Sequence, residues 1–294
     1  MQFIKDIYAT RATQGRPVIS FEVFPPKTAE GDRNLYEKTI PALMAIKPDY
    51  CSVTYGAGGS TREKTLQIVD EITKRHNLTA LAHLTCVGHT EVQVGELLDR
   101  IQSLGCRNIL ALRGDPPSGT DFQTTPGGFE YASQLVKYAR ARGDFSVGVA
   151  GFPEGHVACK GGKHQDWRHL KAKVDAGADF IITQLFFDNT DFFEFRDSLV
   201  KAGVSIPVIP GVISILSASQ IRRFTQLCGA KIPPALATRL DQLEHNDDAA
   251  AEFGIEYASQ QCRELLAQGV PGLHFYSLNK SASTLRVVAN LTLS

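Results

Sequence analysis

The chain has 294 residues and carries 31 Lys plus Arg against 31 Asp plus Glu, so its formal net charge is zero. That balance argues against a general electrostatic grip on nucleic acid or an anionic membrane surface. The N-terminal stretch MQFIKDIYATRATQGRP lacks the apolar run of a signal peptide, and the longest uncharged stretch, Val204 to Ile221, carries two prolines and four serines, which argues against a membrane span.

Eight segments read as buried strands. In chain order they are VISFEVF from Val18, YCSVTYG from Tyr50, ALAHLTC from Ala80, NILALRG from Asn108, FSVGVAGF from Phe145, FIITQLFF from Phe180, PVIPGVI from Pro207 and LHFYSLN from Leu273. They are almost continuously apolar and rich in β-branched or aromatic residues, as strands covered on both faces should be. Helix signals lie between them. Ser60 with Glu63, Thr90 with Gln93, and Ser217 with Gln220 have capping-box spacing. After Thr90 the apolar positions Val94, Leu97, Leu98, Ile101 and Leu104 form one stripe, ended by Gly105. Further helices fit 34–46, 129–142, 166–176, 190–202 and 250–268, with an extra helix from Pro233 to Glu244 before the last strand. Unbroken βα alternation favours a single (β/α)8 TIM barrel over residues 1–294 rather than a doubly wound sheet. The six cysteines form no CxxC pair, and several sit in apolar runs, as in a reduced, cytoplasmic protein.

A barrel collects its chemistry at the C-terminal strand ends. Six of the eight strands place unusual polar groups there: Glu22, Thr54, His83, Asp115, Gln184, and Tyr276 with Asn279 and Lys280. Each has a plainer explanation. Glu22 could be a satisfied core carboxylate, His83 a hydrogen-bonded core histidine and Gln184 a tie between strands. Asp115, in Arg113-Gly114-Asp115, could cap a turn, pair with Arg113 or belong to an adhesion tripeptide, though the last needs an extracellular protein. Trp167 and the pairs Phe186-Phe187 and Phe192-Phe193 read as packing. GAGGST from Gly56 departs from G-x-G-x-x-G at Thr61, and CKGGKH from Cys159 lacks a P-loop's spacing and its Ser or Thr. His156, Cys159 and His164 lack a close carboxylate or a second cysteine pair, so no metal site is expected. No nucleophile-elbow sequence supports a Ser–His–Asp triad.

Seven motifs, SFEVFPPK, SVTYGAGG, AHLTC, LALRGDPP, KVDAGADFIITQLFFD, PVIPGV and HFYSLNK, occur in this order from Ser20 to Lys280. Together they resemble the bacterial methylenetetrahydrofolate reductases. The resemblance implies a barrel with non-covalent FAD and a ping-pong cycle. In it NADH or NADPH reduces the flavin, and 5,10-methylenetetrahydrofolate then takes the hydride to give 5-methyltetrahydrofolate, a methyl source for methionine synthesis. Glu22 matches the family's proton donor, and Asp115 matches a residue touching both flavin and pterin. A carboxyl among apolar residues suits the donor's role, since desolvation favours its protonated form. Gln184 matches a second pterin contact, while Gln220 and Phe224 match positions that clamp nicotinamide or folate. Lys280 falls at the contact to the folate tail. For FAD the resemblance points to Thr54, Tyr55, His83, Arg113, Gly114, Asp115, Tyr131, Ala132 and Phe152. Toward its phosphates and adenosine it adds His156, Asp166, His169 and Lys173. Gly114 would let the backbone approach the flavin ring, and Pro116-Pro117 would stiffen the loop that presents Asp115. Phe152 stands where the family has tyrosine, and Lys280 where close relatives have arginine, so one hydroxyl and one forked donor are missing. A homo-oligomer is expected, without a C-terminal regulatory domain. The other readings are a proline dehydrogenase-like flavin barrel, a silent flavin or folate binder, and a metal-dependent aldolase barrel.

Overall fold

The computed structural model describes residues 2–56, 61–115 and 123–292. Its strands are β1 (Val18–Val23), β2 (Tyr50–Val53), β3 (Thr79–Thr85), β4 (Asn108–Leu112), β5 (Ser146–Gly151), β6 (Phe180–Thr183), β7 (Val208–Ile209), β8 (Gly211–Val212) and β9 (Gly272–Tyr276). All pairings are parallel, in the order β7-β6-β5-β4-β3-β2-β1-β9-β8. β7 and β8 are two halves of one strand, parted at Pro210, which has no N–H to give. The first half pairs with β6 and the second with β9, while the Pro210 carbonyl accepts from the His274 N–H at 3.0 Å. The ring therefore has eight strand positions and is a (β/α)8 TIM barrel, as the alternation predicts.

The helices largely follow the expected segments. Thr90 and Gln93 form a reciprocal capping box on α5 (Glu91–Ser103). Ser217 accepts from the Gln220 N–H at the start of α9 (Ala218–Cys228). α6 (Ala132–Arg142), α7 (Gly162–Asp175), α8 (Asn189–Lys201) and α11 (Asp247–Ala267) occupy their expected places, as does the extra α10 (Pro234–Gln242). Ser60 and the Pro116-Pro117 pair lie outside the described residues; α4 (Arg62–Asp70) starts after Thr61, which makes no side-chain cap bond. The segment expected at 34–46 is helical from Ala29 to Met44, as α2 (Ala29–Asn34), a π-helical stretch and α3 (Ile40–Met44). α12 (Ser281–Ala289) ends the barrel. Among the described residues no helix is long and apolar enough to cross a membrane.

Two helices lie outside the expected segments, α12 and the N-terminal one. α1 (Ile4–Thr13) buries only Ile4, Ile7 and Tyr8, too few to make a legible stripe. It closes the bottom of the barrel. The Ile4 N–H donates to Asn108 Oδ1 (2.8 Å), Lys5 N–H donates to Ser146 Oγ (3.1 Å), and the Tyr8 and Tyr50 hydroxyls meet at 3.0 Å. Above this floor, Val18, Tyr50, Leu81, Leu110, Phe180, Ile182 and Ile209 pack with Ile4, Ile7 and Tyr8 as an inner core, while a larger cluster fills the space between strands and helices.

Candidate active site

Side chains on a strand alternate between faces, so the inner positions above Val18 on β1 are Ser20 and Glu22. Register brings Ser20 beside Tyr50 and His274, and Glu22 beside Ser52 and Tyr276. The result is a polar layer on top of the apolar inner core. Glu22 Oε2 lies 3.4 Å from Ser52 Oγ, which donates to it, 3.4 Å from His83 Nε2 and 3.6 Å from His274 Nε2. Burial on its own would raise the Glu22 carboxyl, but hydrogen bonding to His274, the charge of His83 and the Ser52 hydroxyl outweigh it and hold the group below its ordinary value. The expectation that desolvation would favour the protonated form thus meets a stronger opposing effect. His83 is pushed the other way, down to about 4, chiefly by burial, with Glu22 opposing and His274 adding to the shift.

The strand-end tyrosine and asparagine serve the frame. Tyr276 donates its hydroxyl to the Thr183 carbonyl (2.5 Å), crossing Gly211, where any Cβ would lie 2.6 Å from the ring. Asn279, at φ 55°, accepts from the Phe24 N–H (3.0 Å) and donates to the Phe24 carbonyl (2.7 Å). With Ser277 Oγ donating to the Glu22 carbonyl (2.5 Å), it fixes the end of β1 against the turn after β9.

The loop after β4 carries Arg113, Gly114 and Asp115. Arg113 accepts through its carbonyl from the Cys86 and Val87 N–H groups (3.1 and 3.0 Å). Gly114 has φ +85°, and a Cβ there would sit 2.5 Å from Val87 Cγ1 and 2.9 Å from Thr85 Cβ. The glycine is thus required by the end of β3 itself, a reason the sequence does not reveal. Asp115 is exposed. Burial, and then the positive charge of Arg113, lower His156, while Asp166 and Asp115 oppose them. Lys173 is half-buried, donates to the Ala150 carbonyl (2.6 Å) and is pushed down to about 8 by burial, with Asp166 opposing and Arg113 adding to the shift. Burial raises Asp166, against Lys173 and His156. Arg113, His156, Asp166 and Lys173 thus form one interacting set on one side of the mouth.

The remaining predicted residues are more dispersed. Thr54 and Tyr55 follow β2, and Tyr55 bonds His89 Nε2 at 3.0 Å. Tyr131 is exposed at the start of α6, beside buried Ala132. The Phe152 ring meets His156 edge-on at 4.6 Å, and its carbonyl accepts from Trp167 Nε1. Gln184 folds back to accept from the Leu185 N–H (2.9 Å) and borders a small cavity with Phe152, Glu154 and Cys228. Gln220 and Phe224 lie half-buried on α9, and Lys280 is exposed before α12. No hydrogen bond among the described residues joins Gln184, Gln220, Phe224 or Lys280 to Glu22. Contrary to expectation, a carboxylate does approach the Cys159 tract: Cys159, Asp166 and His169 each bring a possible ligand atom within 4.8 Å of the others. Two polar residues escape the sequence reading, His89 and His274. Alternation from Tyr276 would have found His274, two positions earlier on the same face.

The family model for methylenetetrahydrofolate reductase matches residues 7–292. A Zea mays protein named methylenetetrahydrofolate reductase (NADH) 1 is 40% identical over 293 residues, covering 96% of this chain and 49% of its own length. The 5,10-methylenetetrahydrofolate reductase of Escherichia coli (strain K12) is 36% identical over 268 residues, covering 91% of this chain and 88% of that protein. The chain spans about half the length of the plant relatives it matches. A solved structure of an uncharacterized Clostridium thermocellum protein, described as binding two copies of 5-methyl-5,6,7,8-tetrahydrofolic acid, superposes with a TM-score of 0.65. It is 17% identical and covers 97% of each chain, a likeness in fold alone. The barrel, its ordered strand-end motifs and the match from residue 7 to residue 292 make this chain a member of the methylenetetrahydrofolate reductase family.

Proposed function

We propose that this chain reduces 5,10-methylenetetrahydrofolate to 5-methyltetrahydrofolate with NADH or NADPH, using non-covalently bound FAD in a ping-pong cycle. The observation that carries the reading is Glu22, a carboxyl inside the barrel mouth whose Oε2 faces Ser52, His83 and His274 within 3.6 Å. The residues present fit a flavin dinucleotide. Thr85 Oγ1 is buried at the C-terminal end of β3 without a hydrogen-bond partner among the described residues, and beside it His83 Nε2 has no hydrogen bond there, only the 3.4 Å approach of Glu22 Oε2. Arg113 and Lys173 supply positive charge suited to phosphates and His156 a ring nitrogen, with Thr54, Tyr55, Gly114, Tyr131, Ala132, Phe152, Asp166 and His169 as the other candidate contacts. When bound, FAD supplies the carrier that takes a hydride from the nicotinamide and passes it to folate.

The chain's own residues then have distinct tasks. Glu22 gives its proton to the leaving nitrogen of the folate imidazolidine ring, as the C–N electron pair moves onto that nitrogen. The N5 iminium that remains accepts the hydride at its methylene carbon. A pterin lying over the mouth removes water from Glu22, which acts in the raising direction and opposes the histidines. Asp115 offers two oxygens to adjacent pterin N–H groups, and its charge favours the cationic iminium. Gln184 is the second pterin contact, Gln220 and Phe224 clamp the substrate from α9, and Lys280 meets the folate tail. The proposal includes a homo-oligomer.

Anaerobic stopped-flow spectra test it. The FAD-loaded chain should be bleached by NADH or NADPH and recover its oxidised spectrum with methylenetetrahydrofolate, yielding 5-methyltetrahydrofolate. A protein that takes up no FAD, or whose reduced spectrum folate leaves unchanged, contradicts it.

A further inference from the structure

His274 is fully buried, yet both of its ring nitrogens are engaged. Nδ1 lies 2.8 Å from Ser20 Oγ, and Nε2 lies 3.4 Å from Ser52 Oγ and 3.6 Å from Glu22 Oε2. Tyr50 stacks on the ring at 6.1 Å and 19°, and Tyr276 meets it edge-on at 5.5 Å. Behind Ser20, the hydroxyls of Tyr50 and Tyr8 continue to the barrel floor. The imidazole is thus clamped in position and in rotation. An imidazole that merely filled space would need no carboxylate at its far nitrogen.

We propose that His274, oriented by Ser20, is the positioning residue of the Glu22 acid: it fixes the Oε2 side of the carboxyl at the back of the mouth, so that the group faces folate in one orientation. The proposal rests on the folate-reductase reading above. Its physical content is geometric: a ring held at Nδ1 by Ser20 at 2.8 Å and between two tyrosines presents Nε2 to Glu22 Oε2 at 3.6 Å. Among the described residues no side-chain contact to Glu22 involves Oε1, so the oxygens are inequivalent, one held from below and the other left to the mouth. The approach of His274 is also the strongest influence lowering the Glu22 carboxyl.

The other titratable groups facing the pair are His83 on β3, Cys51 and Tyr50 on β2, Tyr276 on β9 and Tyr8 on α1. Burial raises Cys51, Tyr50, Tyr276 and Tyr8, so all four stay neutral at physiological pH. Asp49 on the floor is paired with Arg11. Apart from the Asp49–Arg11 ion pair on the floor, only His83 among these neighbours can carry charge in the range where Glu22 titrates.

The test uses His274→Gln, which keeps an N–H near the place of Nε2 but cannot carry a proton's charge. Ser20→Ala is added because it removes only the partner of Nδ1 and leaves Glu22 and His274 in place. In the protein without flavin, difference infrared spectroscopy follows the carboxyl band that disappears in Glu22→Gln. We expect its midpoint to move to higher pH in both variants. In the FAD-loaded protein, re-oxidation by methylenetetrahydrofolate should slow by about ten- to a hundredfold, while reduction by NADH or NADPH changes by less than about twofold. An unmoved infrared midpoint in both variants overturns the proposal, as does equal slowing of both half-reactions. A wild-type flavin that folate fails to re-oxidise overturns the functional reading and the proposal with it. That outcome is distinct from the failure of His274 alone, in which the wild type turns over normally.

Discussion

Replacing Gly114 by Ala separates two costs that meet at one residue. The backbone there has φ +85°, and an added Cβ lies 2.5 Å from Val87 Cγ1 and 2.9 Å from Thr85 Cβ. The left-handed conformation costs an alanine about 1–2 kcal/mol. Forcing a methyl group into packed neighbours costs about 1–3 kcal/mol more, since the side chains of β3 and its following turn must move. The expected loss is about 2–5 kcal/mol, a large share of a typical domain's stability. Gly15 is the control: its φ is +65° and nothing lies within 4 Å of an added Cβ, so Gly15→Ala should show the backbone cost alone. Urea unfolding of the two variants, analysed by linear extrapolation, gives both numbers. If Gly114→Ala costs no more than Gly15→Ala, the close approach of this loop to β3 is wrong, and with it the physical reason given for the glycine beside Asp115.

Three further outcomes follow from the site. Lys173 is pushed down to about 8, so it is neutral above that pH, and a phosphate beside it must restore its charge. FAD affinity should therefore weaken as pH rises through about 8, and Lys173→Met should bind FAD more weakly and lose that pH dependence in a fluorescence titration of the protein without flavin. Asp115→Asn should keep fold and FAD content but raise the flavin potential and slow re-oxidation by folate. Unchanged potential and rate, measured by dye-coupled reduction and stopped flow, would reduce Asp115 to a loop cap. Asn279→Ala removes both bonds to the exposed Phe24 backbone, where water can replace the amide, and should cost no more than about 0.5–1.5 kcal/mol in urea unfolding.

The strands were legible because burial on both faces makes them continuous apolar runs, and this holds even for PVIPGVI, whose two halves pair with different neighbours. Helix α1 was not legible, since three buried residues leave no periodic stripe. Glu22, His83 and Asp115 were legible as polar groups at strand ends. What surrounds them was not. The contact between Glu22 and His274 exists only because ring closure sets β1 beside β9, and the cause of Gly114 lies in Thr85 and Val87 on another strand's end. The sign of the Glu22 shift was missed for the same reason. Burial can be read from neighbours in sequence, whereas the two histidines that outweigh it come from elsewhere in the chain.

The account's central claim, that Glu22 is the acid of folate reduction, is tested most directly by Glu22→Gln studied one half-reaction at a time. The amide keeps size and hydrogen bonding but has no proton to give. With FAD bound, reduction by NADH or NADPH should proceed at a near-normal rate, and re-oxidation by methylenetetrahydrofolate should fall by at least about 10²-fold, the scale of general acid catalysis. Equal slowing of both steps would make Glu22 a support for the mouth, and full activity in both would make it a satisfied core carboxylate; either result contradicts the account.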